Sequence, residues 1–136
     1  MKEIINELKK DCLFTISNWW GLRDAGTSGI IVTKDNTLYS YTMYYTKTKF
    51  LEDNNIPQES ISNGVELTDK QIEIIEKFIE TEICNKNFEN IRIFDAGWNV
   101  SGNYNGNNFN IVNHHDLYVK AKDLLENIKG VKKNVK

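Results

Sequence analysis

The residues best suited to chemistry are the only two histidines of the chain, which stand next to an aspartate. Imidazole and carboxylate groups are common metal ligands and proton carriers, so His114, His115 and Asp116 are the first candidates for catalysis. Two helix residues that bind one ion lie three or four positions apart, and at that distance from the histidines stand Leu117 and Val119. We therefore expect no metal, and we favour a role at a helix start, where the Asp116 carboxylate suits the helix dipole.

A second cluster, Asp95-Ala96-Gly97-Trp98-Asn99, combines a carboxylate, a glycine and an indole at the end of a short predicted strand. Asp95 would meet His114 or His115 if the last hairpin brings the two segments together. The alternative function is then a small hydrolase-like enzyme that uses Asp95, His114, His115 and Asp116. A turn aspartate that bonds its own backbone is the simpler interpretation of Asp95.

Local catalytic motifs are absent from the sequence. Gly97, Gly102 and Gly106 are not followed by the Gly-Lys-Ser/Thr of a phosphate loop. The chain also lacks a Gly-x-Ser-x-Gly elbow, a zinc-protease His-Glu-x-x-His and a calcium loop. We therefore expect no cofactor, and we favour a binding protein over an enzyme.

The tryptophans are candidates for a contact surface. Trp19 and Trp20 are adjacent, and two neighbours on one helix cannot both face the same core. We expect one of them in a partner-binding patch, together with Trp98. The alternative is a helix end that folds onto the rim of the sheet.

The net charge of −2 hides an uneven distribution. Residues 52–82 carry nine acidic and two basic side chains, whereas residues 120–136 carry six lysines and two acids. The acidic segment, with Glu73, Glu76 and Glu80 on one predicted helix, would attract a basic partner. The alternative is a solvated helix face and a frayed lysine tail. Nucleic acid is not an expected partner, because the only basic cluster is that tail.

These features favour a small bacterial binding protein that acts by surface complementarity, of the immunity, inhibitor or regulatory type, with a protein partner. Its predicted partner-binding residues are Trp19, Trp20, Glu73, Glu76, Glu80 and Trp98. A homodimeric structural domain, whose hydrophilic sheet face pairs with itself, is a further alternative.

The length and composition are those of one soluble domain. A chain of 136 residues with 40% apolar and 26% charged residues is expected to form a single core, with a mobile tail at 130–136. Eighteen asparagines, 16 isoleucines and 15 lysines against two arginines are typical of an AT-rich genome. Without a membrane span or a signal peptide, we expect a cytoplasmic protein. Cys12 and Cys84 both fall on predicted apolar helix stripes, so we expect two buried free thiols.

Apolar residues at helical spacing predict three helices. The clearest spans about 68–84, where Thr68 and Gln71 form a capping box. A second spans about 114–128, with Asn113 as N-cap and Gly130 as terminator. A third is favoured over residues 4–19 and ends at Gly21, although the segment around Phe14 would also suit a strand.

Two hairpins are predicted between the helices. Asn105-Gly106 is typical of a type I′ turn, which would pair Tyr104 with Asn107, Gly102 with Phe109 and Val100 with Ile111. One face of this hairpin is then apolar and the other hydrophilic. A two-residue turn at Asp35-Asn36 would pair Val32 with Tyr39 and Ile30 with Tyr41. The core-facing side of the second strand would then carry Tyr39, Tyr41, Met43 and Tyr45.

With a short strand at 91–94, the predicted order is α-β-β-α-β-β-β-α. This order indicates an α+β fold: an antiparallel meander of four to five strands, with three helices mainly on one face. Residues 46–66 are a long connection without clear periodicity.

Overall fold

Residues 2–88 and 96–134 are described by the computed structural model. They form α1 (Lys2–Lys10), β1 (Phe14–Trp20), β2 (Gly26–Val32), β3 (Thr37–Tyr44), α2 (Lys49–Asp53), β4 (Glu59–Ile61), β5 (Val65–Glu66), α3 (Asp69–Phe78) with a π-helical continuation (Ile79–Cys84), β6 (Ala96–Tyr104), β7 (Asn107–Val112) and α4 (His115–Asn134). All seven strands join one antiparallel sheet, which confirms the α+β fold. No helix in these residues is both long and apolar enough to cross a membrane. The strand predicted at 91–94 lies outside them.

The strands are ordered β4-β3-β2-β1-β6-β7, and β5 also pairs with β3. The strand count exceeds the four to five predicted because β1 was predicted as helix and because residues 46–66 are not a plain connection. These residues contain α2 and the short strands β4 and β5. Both strands pair with β3. Strands this short are too brief to show a periodic pattern in the sequence.

The prediction of one helix over residues 4–19 is wrong. The helix ends at Lys10, and Phe14–Trp20 is the central strand, hydrogen-bonded to β2 on one side and to β6 on the other. Phe14 and Ile16 are buried on one face of this strand, and Thr15 is buried on the other. A strand that is buried on both faces has a continuous apolar run, which can also resemble part of a helix.

The register predicted for the first hairpin is wrong by one residue. Val32 pairs with Leu38 rather than with Tyr39, because the turn has three residues. The Asn36 N–H donates to the Thr33 carbonyl, and Asn36 has a φ of 65°. This is a type I turn followed by a left-handed residue, the usual three-residue hairpin loop. A slip of one residue exchanges the two faces of β3, so Leu38 faces the main core.

The second hairpin follows its prediction. Tyr104 pairs with Asn107, Gly102 with Phe109 and Val100 with Ile111. Asn105 and Gly106 have φ values of 52° and 79°, as a type I′ turn requires. Val100 and Ile111 are buried, and the Phe109 ring covers the bare backbone of Gly102. The opposite face is hydrophilic, with Ser101, Asn103, Asn108 and Asn110.

The two longest helices cover one face of the sheet, in line with the prediction, and α1 covers the other. We call the face with Phe14, Ile16 and Val100 the main face; α3, its π-helical continuation and α4 pack on it to form the larger core. The second face holds a smaller core of Ile5, Cys12, Ile31 and Tyr41, which α1 covers. Tyr39, Tyr41 and Met43 belong to this second face because of the register of β3, and Tyr45 is exposed.

The helix predicted at 68–84 is confirmed, with a change of type. Thr68 and Gln71 form the capping box, and Ile72, Ile75 and Ile79 are buried. From Ile79 the helix widens into π geometry and ends at Cys84. Ile83 takes the last buried position, so Cys84 is exposed, contrary to prediction, while Cys12 is buried as predicted.

The last helix differs at both ends from its prediction. It begins at His115, and the Tyr118 N–H donates to the His114 carbonyl, which gives His114 rather than Asn113 the N-cap position. The helix also continues through Gly130 to Asn134. One glycine in a helix costs only about 1 kcal/mol and does not have to end it.

Candidate functional site

Trp98 and the first turn of α4 come together on the main face. Trp98 lies on β6, and its ring centroid is 4.6 Å from that of His115, with the planes at 58°. The neighbouring imidazole, His114, meets Phe88 edge-on at 5.0 Å. Two residues that were predicted for different functions, Trp98 as a contact residue and His115 as a catalytic alternative, therefore form one cluster.

Beside this cluster is a surface pocket of about 380 Å³, here called the histidine pocket. The candidates His114, His115 and Asp116 all contribute to its wall. The remaining charged groups in the wall are Glu82, Lys86 and Lys120. His115 and Asp116 are exposed and His114 is half-buried, so a small polar molecule has access to the imidazoles.

Glu82 forms ion pairs with both lysines of the histidine pocket. One of its carboxylate oxygens, Oε1, lies 3.3 Å from Lys86 Nζ and 3.5 Å from Lys120 Nζ. The hydrogen bond and charge of Lys86, with a smaller contribution from Lys120, lower the pKa of Glu82 below its usual value. The Lys120 contact joins the π-helical segment to α4 across the pocket.

The chemistry open to the histidine pocket is proton transfer by imidazole or carboxylate groups. Asp95, the proposed partner of the imidazoles, lies outside the described residues, so its place in the pocket stays a prediction. Over the part of the chain that the structure describes, no three His, Cys, Asp or Glu side chains are arranged to hold a metal ion.

Asn113 sets the corner at which β7 turns into α4. Its backbone is left-handed, with a φ of 64°. Its N–H donates to the Trp98 carbonyl at 2.7 Å, and its side-chain Oδ1 accepts from the Trp98 N–H at 2.9 Å. The side chain that was predicted to cap the helix therefore extends the ladder between β6 and β7 and fixes Trp98 beside His115.

Trp19 and Trp20 face opposite sides of the sheet, because they are neighbours on a strand rather than on a helix. Trp19 packs on Gly97 on the second face. Trp20 is on the main face, where its Nε1 donates to the Asp24 carbonyl at 2.7 Å and its ring meets Tyr44 edge-on. Both indoles are half-buried, so they do not form one exposed patch.

The acidic candidates Glu73, Glu76 and Glu80 lie on one side of α3 and its continuation, with Asp69 one turn before them; these four residues are the acidic stripe. Three of them are exposed, and Glu76 is half-buried. The Tyr104 hydroxyl donates to Glu80. This hydrogen bond, together with partial burial and the charges of Glu80 and Glu76, raises the pKa of Tyr104 to about 12.

The predicted partner-binding residues occupy two separate regions. Tyr104, which contacts the acidic stripe, is six residues further along β6 than Trp98, or about 20 Å at 3.3 Å per residue. The stripe therefore lies near the β6–β7 turn, and the tryptophans lie near the opposite end of the sheet.

A polar groove on the main face was not predicted from the sequence. It has a volume of about 490 Å³ and lies between α4 and the part of the sheet formed by β1 to β4. Its polar lining includes Asn18, Ser28, Ser40, Thr42 and Tyr118. The sequence contained a pattern that could have predicted this groove, because Ser40 and Thr42 alternate with apolar residues along β3. The incorrect register assigned them to the wrong face.

No family model matches this chain, and no curated protein or solved structure matches it.

Proposed function

We propose that this chain is a protein-binding domain of the inhibitor or immunity type, which recognises a basic partner protein through the acidic stripe. One observation carries the proposal: four carboxylates follow one side of a helix at intervals of four, three and four residues. This side is about 16 Å long at 1.5 Å per residue. Within residues 2–88 and 96–134, none of the four carboxylates forms an ion pair with lysine or arginine.

The negative potential of the stripe is supported by its effect on a neighbour. Glu80 and Glu76 both contribute to the raised pKa of Tyr104, because a second negative charge beside them is unfavourable. The same potential would attract a positively charged protein surface and increase the rate of association. At physiological ionic strength this attraction extends over about 8 Å, so it acts mainly during the final approach.

The helix that carries the stripe is held rigidly. The capping box fixes its start, and Ile72, Ile75 and Ile79 anchor its opposite side in the main core. A rigid recognition helix loses little conformational entropy when a partner binds, which favours affinity.

The location that we propose is the bacterial cytoplasm. The excess of asparagine, isoleucine and lysine over arginine is typical of an AT-rich genome. Cys12 and Cys84 are both free, which suits a reducing compartment.

The experiment compares four purified proteins as affinity baits: the native chain, a stripe variant, a glutamine variant and a control. The stripe variant carries Glu73→Lys, Glu76→Lys and Glu80→Lys. The control carries Glu3→Lys, Glu7→Lys and Asp123→Lys, three exposed acids on α1 and α4 that change the net charge equally. Because Glu76 is half-buried, a fourth bait with the three glutamates changed to glutamine guards against loss of the fold. Circular dichroism checks each protein.

Each captured protein is then purified, and its association rate with each bait is measured at low and high salt. We expect a basic partner whose association is at least about tenfold slower with the stripe variant, intermediate with the glutamine variant and unchanged with the control. High salt should reduce the native rate towards that of the stripe variant. Equal rates for the native chain and the stripe variant would refute the proposal.

A second candidate function is supported by the histidine pocket, where two imidazoles and the carboxylates of Asp116 and Glu82 line one cavity. A hydrolase-like enzyme would use His114, His115 or Asp116 as general acid or base, with Asp95 as a predicted partner. Hydrolysis of p-nitrophenyl acetate and p-nitrophenyl phosphate tests this candidate. We expect His114→Ala or His115→Ala to reduce turnover by about 100-fold or more if the pocket is catalytic. Unchanged turnover in both variants would exclude the two imidazoles as its catalytic groups.

A further inference from the structure

Among residues 2–88 and 96–134, the two edges of the sheet are protected to different degrees. One edge is β4, which has only three residues, begins with Glu59 and follows Pro57 closely. Short length, charge and proline are the usual means of preventing edge-to-edge pairing. The other edge is β7, which has six residues, Asn107–Val112, with no charge and no proline. Its register with β6 runs without a bulge. The β7 edge therefore lacks each of these protections.

The backbone groups that β7 directs outward are fixed by its register. The Asn113 N–H bonds to the Trp98 carbonyl, so residues bonded to β6 alternate back along β7 from that point. Phe109 and Ile111 therefore direct their N–H and C=O groups to β6. Asn108 and Asn110 direct theirs away from the sheet, and both residues are exposed.

The asparagine side chains of β7 already pair with asparagines of β6, and the same pairing could form with β7 of a second copy. On the hydrophilic face, Asn99 Nδ2 donates to Asn110 Oδ1 and Asn103 Nδ2 donates to Asn108 Oδ1, each at 2.5 Å. Each amide of β7 keeps its own Nδ2 donor for a further neighbour. On the main face, Phe109 is half-buried and packs against Phe14 at 6.2 Å.

We propose that two copies of this chain pair through β7, antiparallel about a twofold axis at Phe109, and so join their sheets into one. In this register Asn108 of each copy faces Asn110 of the other, which completes four backbone hydrogen bonds and extends the asparagine ladder. The two Phe109 rings meet on the main face at a non-hydrogen-bonded position, where side chains are closest. Identical uncharged side chains around the axis make the strand complementary to itself.

This dimer uses neither the acidic stripe nor the histidine pocket, so its test is independent of the test of the proposed function. The experiment measures the molar mass of the full chain by sedimentation velocity from about 10 to 500 µM. In the first variant, Asn110→Pro, the substitution removes an outward N–H and the side-chain bond from Asn99, and it leaves every backbone hydrogen bond between β6 and β7 intact. In the second, Asn110→Lys, it introduces charge at the edge. Ser60→Lys, on the opposite edge strand, is the matched control.

We expect the native chain and Ser60→Lys to reach twice the chain mass as concentration rises. Asn110→Pro and Asn110→Lys should weaken dimerisation at least about tenfold while they keep the native circular dichroism spectrum. A native chain that stays monomeric throughout this range overturns the proposal. So does native-like dimerisation of both Asn110 variants, because the pairing strand would then lie elsewhere.

Discussion

The indole of Trp19 lies directly on Gly97 of the neighbouring strand, at a point where any side chain would collide with it. A Cβ atom at Gly97 would overlap the Trp19 ring and also Asn113 Oδ1. The absence of a side chain there lets Trp19 cover β6, and it lets Asn113 reach the Trp98 N–H. This glycine therefore supports the corner that positions the first turn of α4.

Gly97→Ala should destabilise the protein by about 3 kcal/mol, because ring and amide must both move to admit a methyl group. Urea unfolding followed by tryptophan fluorescence measures the change. Gly106→Ala is the comparison: its methyl group would meet no atom within 4 Å, but its φ of 79° disfavours alanine. We expect that variant to lose only about 1 kcal/mol. Equal losses would contradict the steric role of Gly97.

Asn36→Gly should stabilise the protein by about 0.5 kcal/mol, because Asn36 is left-handed at the end of a three-residue loop, where glycine has no steric penalty. Thermal unfolding measures the difference. Asp35→Gly is the control, since Asp35 is not among the residues with positive φ. We expect the control to be destabilised, and stabilisation by both substitutions would not fit a loop with one left-handed position.

Tyr104 should ionise near pH 12, about two units above a free tyrosine, because ionisation breaks its hydrogen bond to Glu80 and places two negative charges together. The absorbance at 295 nm, compared between the native chain and Tyr104→Phe, isolates this group. The folded state disfavours the ionised form, so the resulting stability is fully present below pH 10 and is lost as the pH rises towards 12. The advantage of the native chain over Tyr104→Phe should shrink over that range. A difference spectrum with its midpoint at pH 10 would contradict the contact.

The two thiols should differ strongly in reactivity towards Ellman's reagent at pH 8. Cys84 is exposed, whereas Cys12 is buried and burial raises its pKa, so less thiolate is available. We expect one thiol to react within minutes and the second only when the protein unfolds. Cys84→Ser should abolish the fast phase, and a fast phase that persists would contradict the burial of Cys12.

Short sequence motifs predicted those elements that interactions between neighbouring residues determine. Thr68 and Gln71 satisfy each other within one helical turn, and Asn105-Gly106 specifies its turn by backbone preference alone. Both predictions were confirmed. Asn36 is different, because a two-residue turn and a three-residue loop both suit its sequence. Only packing of Leu38 in the main core distinguishes between them.

The site was harder to predict because its contacts are distant in sequence. Trp98 meets His115 only after β7 returns the chain along β6 and Asn113 turns it into α4. Trp19 and Trp20 were assigned to a helix, since nothing local shows that strands pair with β1 on both sides. The alignment of Glu73, Glu76 and Glu80 was predictable because it depends only on helical periodicity.

The central place of β1 has a consequence during synthesis. Its neighbour β2 follows at once, but β6 is made only after residues 45–95 have been translated. Until then the backbone groups of β1 that bond to β6 form an open strand edge beside the apolar side chains of Phe14 and Ile16, a state prone to aggregation. The C-terminal hairpin thus completes the sheet. A chain whose translation stopped at residue 88 would leave the ribosome with β1 unpaired on the side that bonds to β6.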